Sequence, residues 1–240
     1  MEKPIREHFQ LKQTIVTLIA CRAGEIGAAK DAIRSHRLQL EEFIEKDPFF
    51  LLTLEPYDLK VDDAPLIVRE MVRSSNALGL GPMSAVAGTI AKLALDAMIQ
   101  AGAEHAIVDN GGDIAIQNAE PLLVGIYAGS SPLQNLALEV PARKAPLGIC
   151  TSSGTIGPSI SFGCADAATV ISEDVSLADA GATALGNAVQ KGAPLGECFS
   201  AVDVPGVEGA LVIRGEELAL YGRVPKIKRA RLVPELITRA

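Results

Sequence analysis

The sequence predicts an α+β protein, a single domain over residues 1–240, with antiparallel sheets, packed helices and two internally similar halves. Three observations predict it. Residues 113–117, 122–127 and 135–140 are short apolar runs separated by turn residues, the pattern of an antiparallel run. Residues 25–46, 83–100 and 176–190 carry apolar or small side chains at helical spacing. Residues 85–91 and 178–184 share the pattern A-x-A-G-x-x-A, an internal echo. It is consistent with two similar halves whose small-residue helices meet.

Taken in order, residues 1–10 are charged and mixed. Residues 13–21, QTIVTLIAC, are β-branched and apolar and read as a buried strand. The helix over 25–46 has Ile26, Ala29, Ile33, Leu40 and Ile44 on one stripe and His36 near its boundary. Asp47-Pro48 ends it, because the residue before proline avoids the helical region. Residues 49–54 are apolar and fit either strand or helix. Asp63 is a candidate N-cap, with Pro65 in the first turn, for a helix over 64–78 that turns Ile67, Met71 and Leu78 inward. Gly79-Leu80-Gly81-Pro82 breaks it. The next helix, 83–100, is small and apolar nearly all round, so it belongs in the core.

A strand over 105–109 leads into the turn Asn110-Gly111-Gly112-Asp113, whose glycines permit positive φ. Residues 165–171 read as a short apolar strand. Ser176 is the expected N-cap of the helix over 176–190, and 209–214 with 217–222 read as a hairpin. Residues 226–240 hold clustered basic charge at Lys226, Lys228, Arg229 and Arg231 and are expected to be a solvated tail.

Composition narrows the function classes. The 240 residues are 48% hydrophobic but only 4% aromatic, with no Trp, so the core is aliphatic. Net charge is −7 with cations spread along the chain, which argues against a nucleic-acid partner. Cys21, Cys150, Cys164 and Cys198 show no CxxC spacing, so neither a zinc site nor a disulfide framework is expected. No signal peptide and no uninterrupted apolar run of ~18 residues is seen, which predicts a cytoplasmic protein with no membrane partner.

Chemistry concentrates in residues 147–190. Asp179 and Thr183 are four apart, so a carboxylate and a hydroxyl share one helix face. That pair suits a hard cation, which prefers oxygen ligands. The competing reading makes Asp179 a charge favoured by the dipole of its own helix, in tight helix–sheet packing. Three turns rich in glycine or hydroxyls, 79–91, 109–114 and 150–157, could offer N–H groups to an anion. Together they suggest a phosphorylated ligand with a divalent metal; the alternative is that the glycines serve turns and packing. No general base stands out, and Asp113 and Asp166 are candidates.

The ordered series G-T-I-A-K-L-A-L-D (88–96), V-D-N-G-G-D-I (108–114), C-T-S-S-G-T (150–155) and A-D-A-G-A-T-A (178–184) resembles the ApbE-like superfamily, in particular its cytoplasmic branch. The resemblance runs over 13–221. It implies an α+β fold, and better-known members are flavin transferases that use FAD and Mg²⁺ to attach FMN to a threonine or serine. By the same resemblance the metal maps to Asp179 and Thr183, with a backbone carbonyl near Thr89. Asn110, Gly111, Gly112 and Asp113, with Thr151, Ser152, Ser153 and Gly154, map beside the nucleotide. Departures are specific. Transferases carry H-I-[IL]-D-P-x-[TS]-G where this chain has 157–163, G-P-S-I-S-F-G, with no histidine and no D-P. Leu93 replaces a glycine, and the usual M-G-T segment and lipoprotein signal are absent. The expected function is therefore binding of a phosphorylated cofactor or nucleotide with Mg²⁺, with FMN or nucleotidyl transfer. The alternatives are an inactive ligand-holding protein and a structural homo-oligomer.

Overall fold

A computed structural model describes residues 3–59, 64–154, 162–230 and 238. All strand pairs are antiparallel. The main sheet has eight strands in the order β1 (Ile5–Leu11), β2 (Thr14–Ala20), β3 (Ala106–Asn110), β4 (Asp113–Asn118), β7 (Arg143–Ser152), β8 (Ala167–Ser172), β9 (Val207–Arg214), β10 (Glu217–Gly222). A second sheet has three strands, β11 (Lys226–Arg229), β6 (Leu136–Val140) and β5 (Leu122–Ile126). The helices are α1 (Ala23–Lys46), α2 (Phe49–Leu52), α3 (Leu66–Asn76), α4 (Val86–Gln100) and α5 (Val175–Ala188). In chain order, a hairpin, then helices, then a hairpin builds β1–β4, and the same succession builds β7–β10 around α5.

Alternation along the strands explains the layers. Val16, Leu18, Val108, Ala115, Cys150, Val170 and Val212 point to one face and pack with α1, α3, α4 and α5. Ile116, Leu147, Ile149, Ile171, Leu211 and Ile213 point to the other and pack with Val124, Ile126 and Leu138 of the three-stranded sheet. β8 is buried on both faces throughout, as its run of apolar residues requires.

Several expectations change. Residues 122–140 do not continue the run from β4, which pairs instead with β3 and β7; β5 and β6 form the second sheet. Residues 226–229 are a strand paired with β6, with Lys228 bonded to Glu139, so the expected tail begins as sheet. The charged N-terminal stretch contains edge strand β1, where alternating charges suit a strand with one open side. Residues 49–52 are helical, and Phe50 stacks edge-on against Phe43 and Tyr57. Asp63 lies outside the described residues. Among the described residues one helical stretch, Pro82–Gln100, is long and apolar enough to cross a membrane by length and composition. It is more than half buried here, between α1 and the sheet.

The two small-residue helices do meet. A Cβ added to Gly88 of α4 would lie 2.5 Å from Asp179 Cβ and 2.8 Å from the Val175 carbonyl of α5. At Gly27 of α1 a Cβ would meet nothing within 4 Å. Gly88→Ala is therefore expected to lower stability by ~1–3 kcal/mol, through overpacking. Gly27→Ala should be neutral or stabilising by up to ~1 kcal/mol, because alanine is the better helix former. Urea midpoints of the two variants check this, and equal midpoints would reject close approach of α4 and α5.

Candidate functional site

The site is assembled by a turn, two helix starts and one strand. Gly111 and Gly112 have φ of 70° and 105°, so the chain reverses in two residues, as an Asn-Gly type turn permits. The reversal places Asn110 opposite Asp113, on the face covered by helices. Asp113 pairs in turn with Cys150 of β7. Asn110 Nδ2 donates to the Ala87 carbonyl at 2.9 Å, which ties the turn to the first turn of α4.

Asp179 reaches the same place from α5. Its Oδ2 accepts the Gly88 N–H at 2.7 Å, and the Ala87 N–H also bonds to the carboxylate. These are the second and third N–H groups of α4, left without intrahelical partners. Asp179 thus caps a neighbouring helix from outside, where the helix dipole favours negative charge. The dipole it serves is that of α4; α5 begins at Val175, with Asp174 at its N-cap position. Ser176, the expected cap, lies inside the first turn of α5 and bonds Thr89.

Burial pushes the Asp179 carboxyl up to about 7, against the pull of its two N–H donors. Burial also pushes Asp113 well above the ordinary range, and the Asp179 charge adds to that. Part of the Asp113 residue surface stays open, but its carboxyl is closely surrounded by protein. The Cys150 thiol bonds Asp113 and is raised by burial and then by both carboxylates. The result is two carboxyls and a neutral thiol gathered at the mouth of α4. A carboxylate accepting two N–H groups keeps lone pairs for a cation, so the oxygen donors fit Mg²⁺. Thr183, one turn along α5 from Asp179, is half-buried. Among the described residues no cluster of three or more His, Cys, Asp or Glu side chains could hold a metal.

The other predicted residues divide. Thr89 is fully buried, and its hydroxyl bonds the Ala85 carbonyl at 2.6 Å and Ser176 Oγ at 2.9 Å, so only backbone near it faces the site. Ser152 is on the helix-covered face beside Gly186 of α5. Thr151 turns to the opposite face and bonds Thr169 at 2.8 Å, while its N–H donates to the Gly112 carbonyl. Gly154 donates to Ala165 O. Residues 155–161 lie outside the described residues. Asp166 is remote: it accepts the Gly215 N–H at 2.7 Å in the β9–β10 turn. Lys92, in the G-T-I-A-K stretch, bonds Glu70 at 2.6 Å in an ion network with Arg73 and Asp174 that ties α3, α4 and the start of α5. All four cysteines are free.

The family described as AbpE bacteria matches residues 2–204. The chain belongs to that ApbE-like family. Its relatives include a UPF0280 protein of Methanothrix thermoacetophila, 62% identical over 235 residues, covering 98% of this chain and 99% of that protein. A UPF0280 protein of Methanosarcina barkeri is 57% identical over 239 residues, covering 99% and 94%. The ApbE-like fold also matches the apo flavinyl transferase ApbE of Pseudomonas stutzeri, with TM-score 0.58, 15% identity and coverage of 94% and 95%. The flavin transferase ApbE of Vibrio cholerae matches with TM-score 0.58, 13% identity and coverage of 92% and 97%.

The Asp179 geometry generates a pH prediction. In the unfolded chain this carboxyl ionises near pH 4; in the fold it holds its proton to about 7. Between those values the folded state binds the extra proton, so stability is highest below the unfolded value and falls as pH rises toward 7. Asp179→Asn keeps an oxygen for the Gly88 N–H and cannot ionise. Its melting temperature, measured without divalent ions, should gain on wild type as pH rises from 4 to 7. A constant difference across that range would reject the raised pKa.

Proposed function

We propose that the pocket formed by the 110–113 turn, the start of α4 and Asp179 binds a phosphorylated ligand together with a divalent cation. FAD and Mg²⁺ are the pair to test first, with transfer of the FMN portion to a hydroxyl as the reaction. The observation that carries this reading is the buried meeting of Asp113 and Asp179. Burial raises the pKa of both carboxyls, the Asp179 charge raises Asp113 further, and such a pair suits a positive charge. Asp179 and Thr183 would hold the cation, with a backbone carbonyl near Thr89. Bound Mg²⁺ would supply charge neutralisation for a pyrophosphate and its leaving phosphate.

The chain's own groups do the positioning, which phosphoryl transfer needs more than a covalent nucleophile. Asn110 fixes the turn against α4, and Gly111, exposed at its tip, lets a phosphate approach the backbone. Ser152, Ser153 and Gly154 extend the same edge from β7. Transfer would break the pyrophosphate bond, form a phosphoester to the acceptor hydroxyl and release AMP. Asp113 is the candidate acceptor of the hydroxyl proton. The acidic, spread charge argues against a nucleic-acid partner; a cytoplasmic place, a small phosphorylated ligand, no membrane partner and a homo-oligomer are compatible with this reading.

A second reading has the chain hold its ligand without turnover. It is favoured by residues 157–163, which lack the histidine and D-P of the transferases. Calorimetric titration with FAD, with and without Mg²⁺, tests the binding. Wild type should bind more tightly with Mg²⁺, and Asp179→Asn should lose that dependence while staying folded. Chromatography for AMP after incubation with FAD, Mg²⁺ and hydroxyl-bearing acceptor proteins separates the two readings. AMP release supports transfer, and Mg²⁺-dependent binding without AMP supports the holding protein. No Mg²⁺ dependence for any diphosphate nucleotide would reject both.

A further inference from the structure

Asp109, just before the turn, faces away from the site. Its neighbours on either side, Val108 and Asn110, point toward the helices, so alternation puts Asp109 on the opposite face of the sheet. There its Oδ1 accepts the Gly112 N–H at 2.9 Å, closing the turn from behind. Its Oδ2 accepts the Thr238 hydroxyl at 2.6 Å. Thr17, the register partner of Asp109 on β2, lies 2.7 Å from Thr238 Oγ1 and 3.0 Å from His8 Nδ1. Each hydroxyl has one proton to give. With Thr238 donating to Asp109, Thr17 donates to Thr238, which leaves His8 to donate to Thr17. Four side chains from β1, β2, β3 and residue 238 thus form one directed chain of hydrogen bonds. Thr17 is 1% exposed and Thr238 6%, so water does not readily replace a missing partner.

We propose that Asp109 is the positioning residue of the Asn110–Asp113 turn and that the Thr238 hydroxyl holds it in place. Thr238 would thereby set the shape in which Gly111, Gly112 and Asp113 meet a ligand. The reasoning is geometric. The two glycines leave the turn soft, and the Thr151 N–H holds only its Gly112 carbonyl, from β7. Asn110 anchors its front to α4, Asp109 anchors its back, and Asp109 is oriented by Thr238. The claim about ligand rests on the proposed function; the claim about the turn does not.

Thr238→Val keeps the shape and removes the hydroxyl, while Thr238→Ser restores it. Hydrogen exchange followed by NMR reads the Gly112 amide directly. In Thr238→Val its exchange should speed up about fivefold or more, the effect of losing one typical hydrogen bond, with amides of β8 and β9 unchanged. Thr238→Ser should return it to the wild-type rate. Affinity for FAD with Mg²⁺ should weaken severalfold in Thr238→Val and recover in Thr238→Ser. An unchanged Gly112 rate in Thr238→Val, or a rise spread equally over the core, overturns the proposal. If wild type binds neither FAD nor any other diphosphate nucleotide, the functional reading fails, and the exchange result alone decides the link from Thr238 to the turn.

Discussion

The carboxylate of Asp179 takes the N–H groups at the start of α4, and this contact needs the helices so close that nothing larger than hydrogen fits at residue 88. Much of the surrounding architecture follows. Alanine and glycine line both helices because larger side chains would hold the backbones apart. The Ala87 carbonyl, brought to the sheet by the same approach, receives Asn110 and so locates the 110–113 turn. Asp113 then falls beside Asp179 as a consequence of strand register. An aliphatic core with few rings suits such an arrangement, since thin layers let helices and sheet come near.

The contact is electrostatically double-edged. The dipole and the N–H donors of α4 favour a charge that burial disfavours, and burial prevails in the free protein. The Asp179 charge in turn adds to the effect of burial on the nearby Asp113. Among the described residues no cationic side chain pairs with these two buried carboxyls, so gathering them out of water costs stability. Such expense is common where a protein keeps a polar arrangement for a ligand.

Much of this was readable from sequence, and the gaps have physical causes. Long periodic stretches declared themselves: α1, α4 and α5 lie within a few residues of expectation, as do β2, β3 and the β9–β10 hairpin. The Asn-Gly-Gly-Asp turn followed from its glycines. Pairing partners did not, because alternation reports which side chains share a face and says nothing of which strand lies alongside. Hence sequence order alone sets β5 and β6 beside β4, and the basic residues of β11 read as a tail. Asp179 and Asp113 each stand out in the sequence, but their meeting depends on the α4–α5 approach and on register across β4 and β7. A two-residue turn pairs Asn110 with Asp113 on one face, and alternation along β3 then puts Asp109 on the other. Nothing local announces Thr238, whose partners are 129 and 221 residues away.

That separation bears on how the molecule matures during synthesis. Strand β3 and its turn leave the ribosome long before residue 238 is made, at a pace of about 5–20 residues per second. For several seconds Asp109 and Thr17 must do without the hydroxyl that later joins them, and β4 waits for β7 to cover its other edge. An emerging chain can therefore shape the pocket's helices and its front wall early, while the back of the turn closes late. Competence to bind would then arrive late, after most of the sheet has formed.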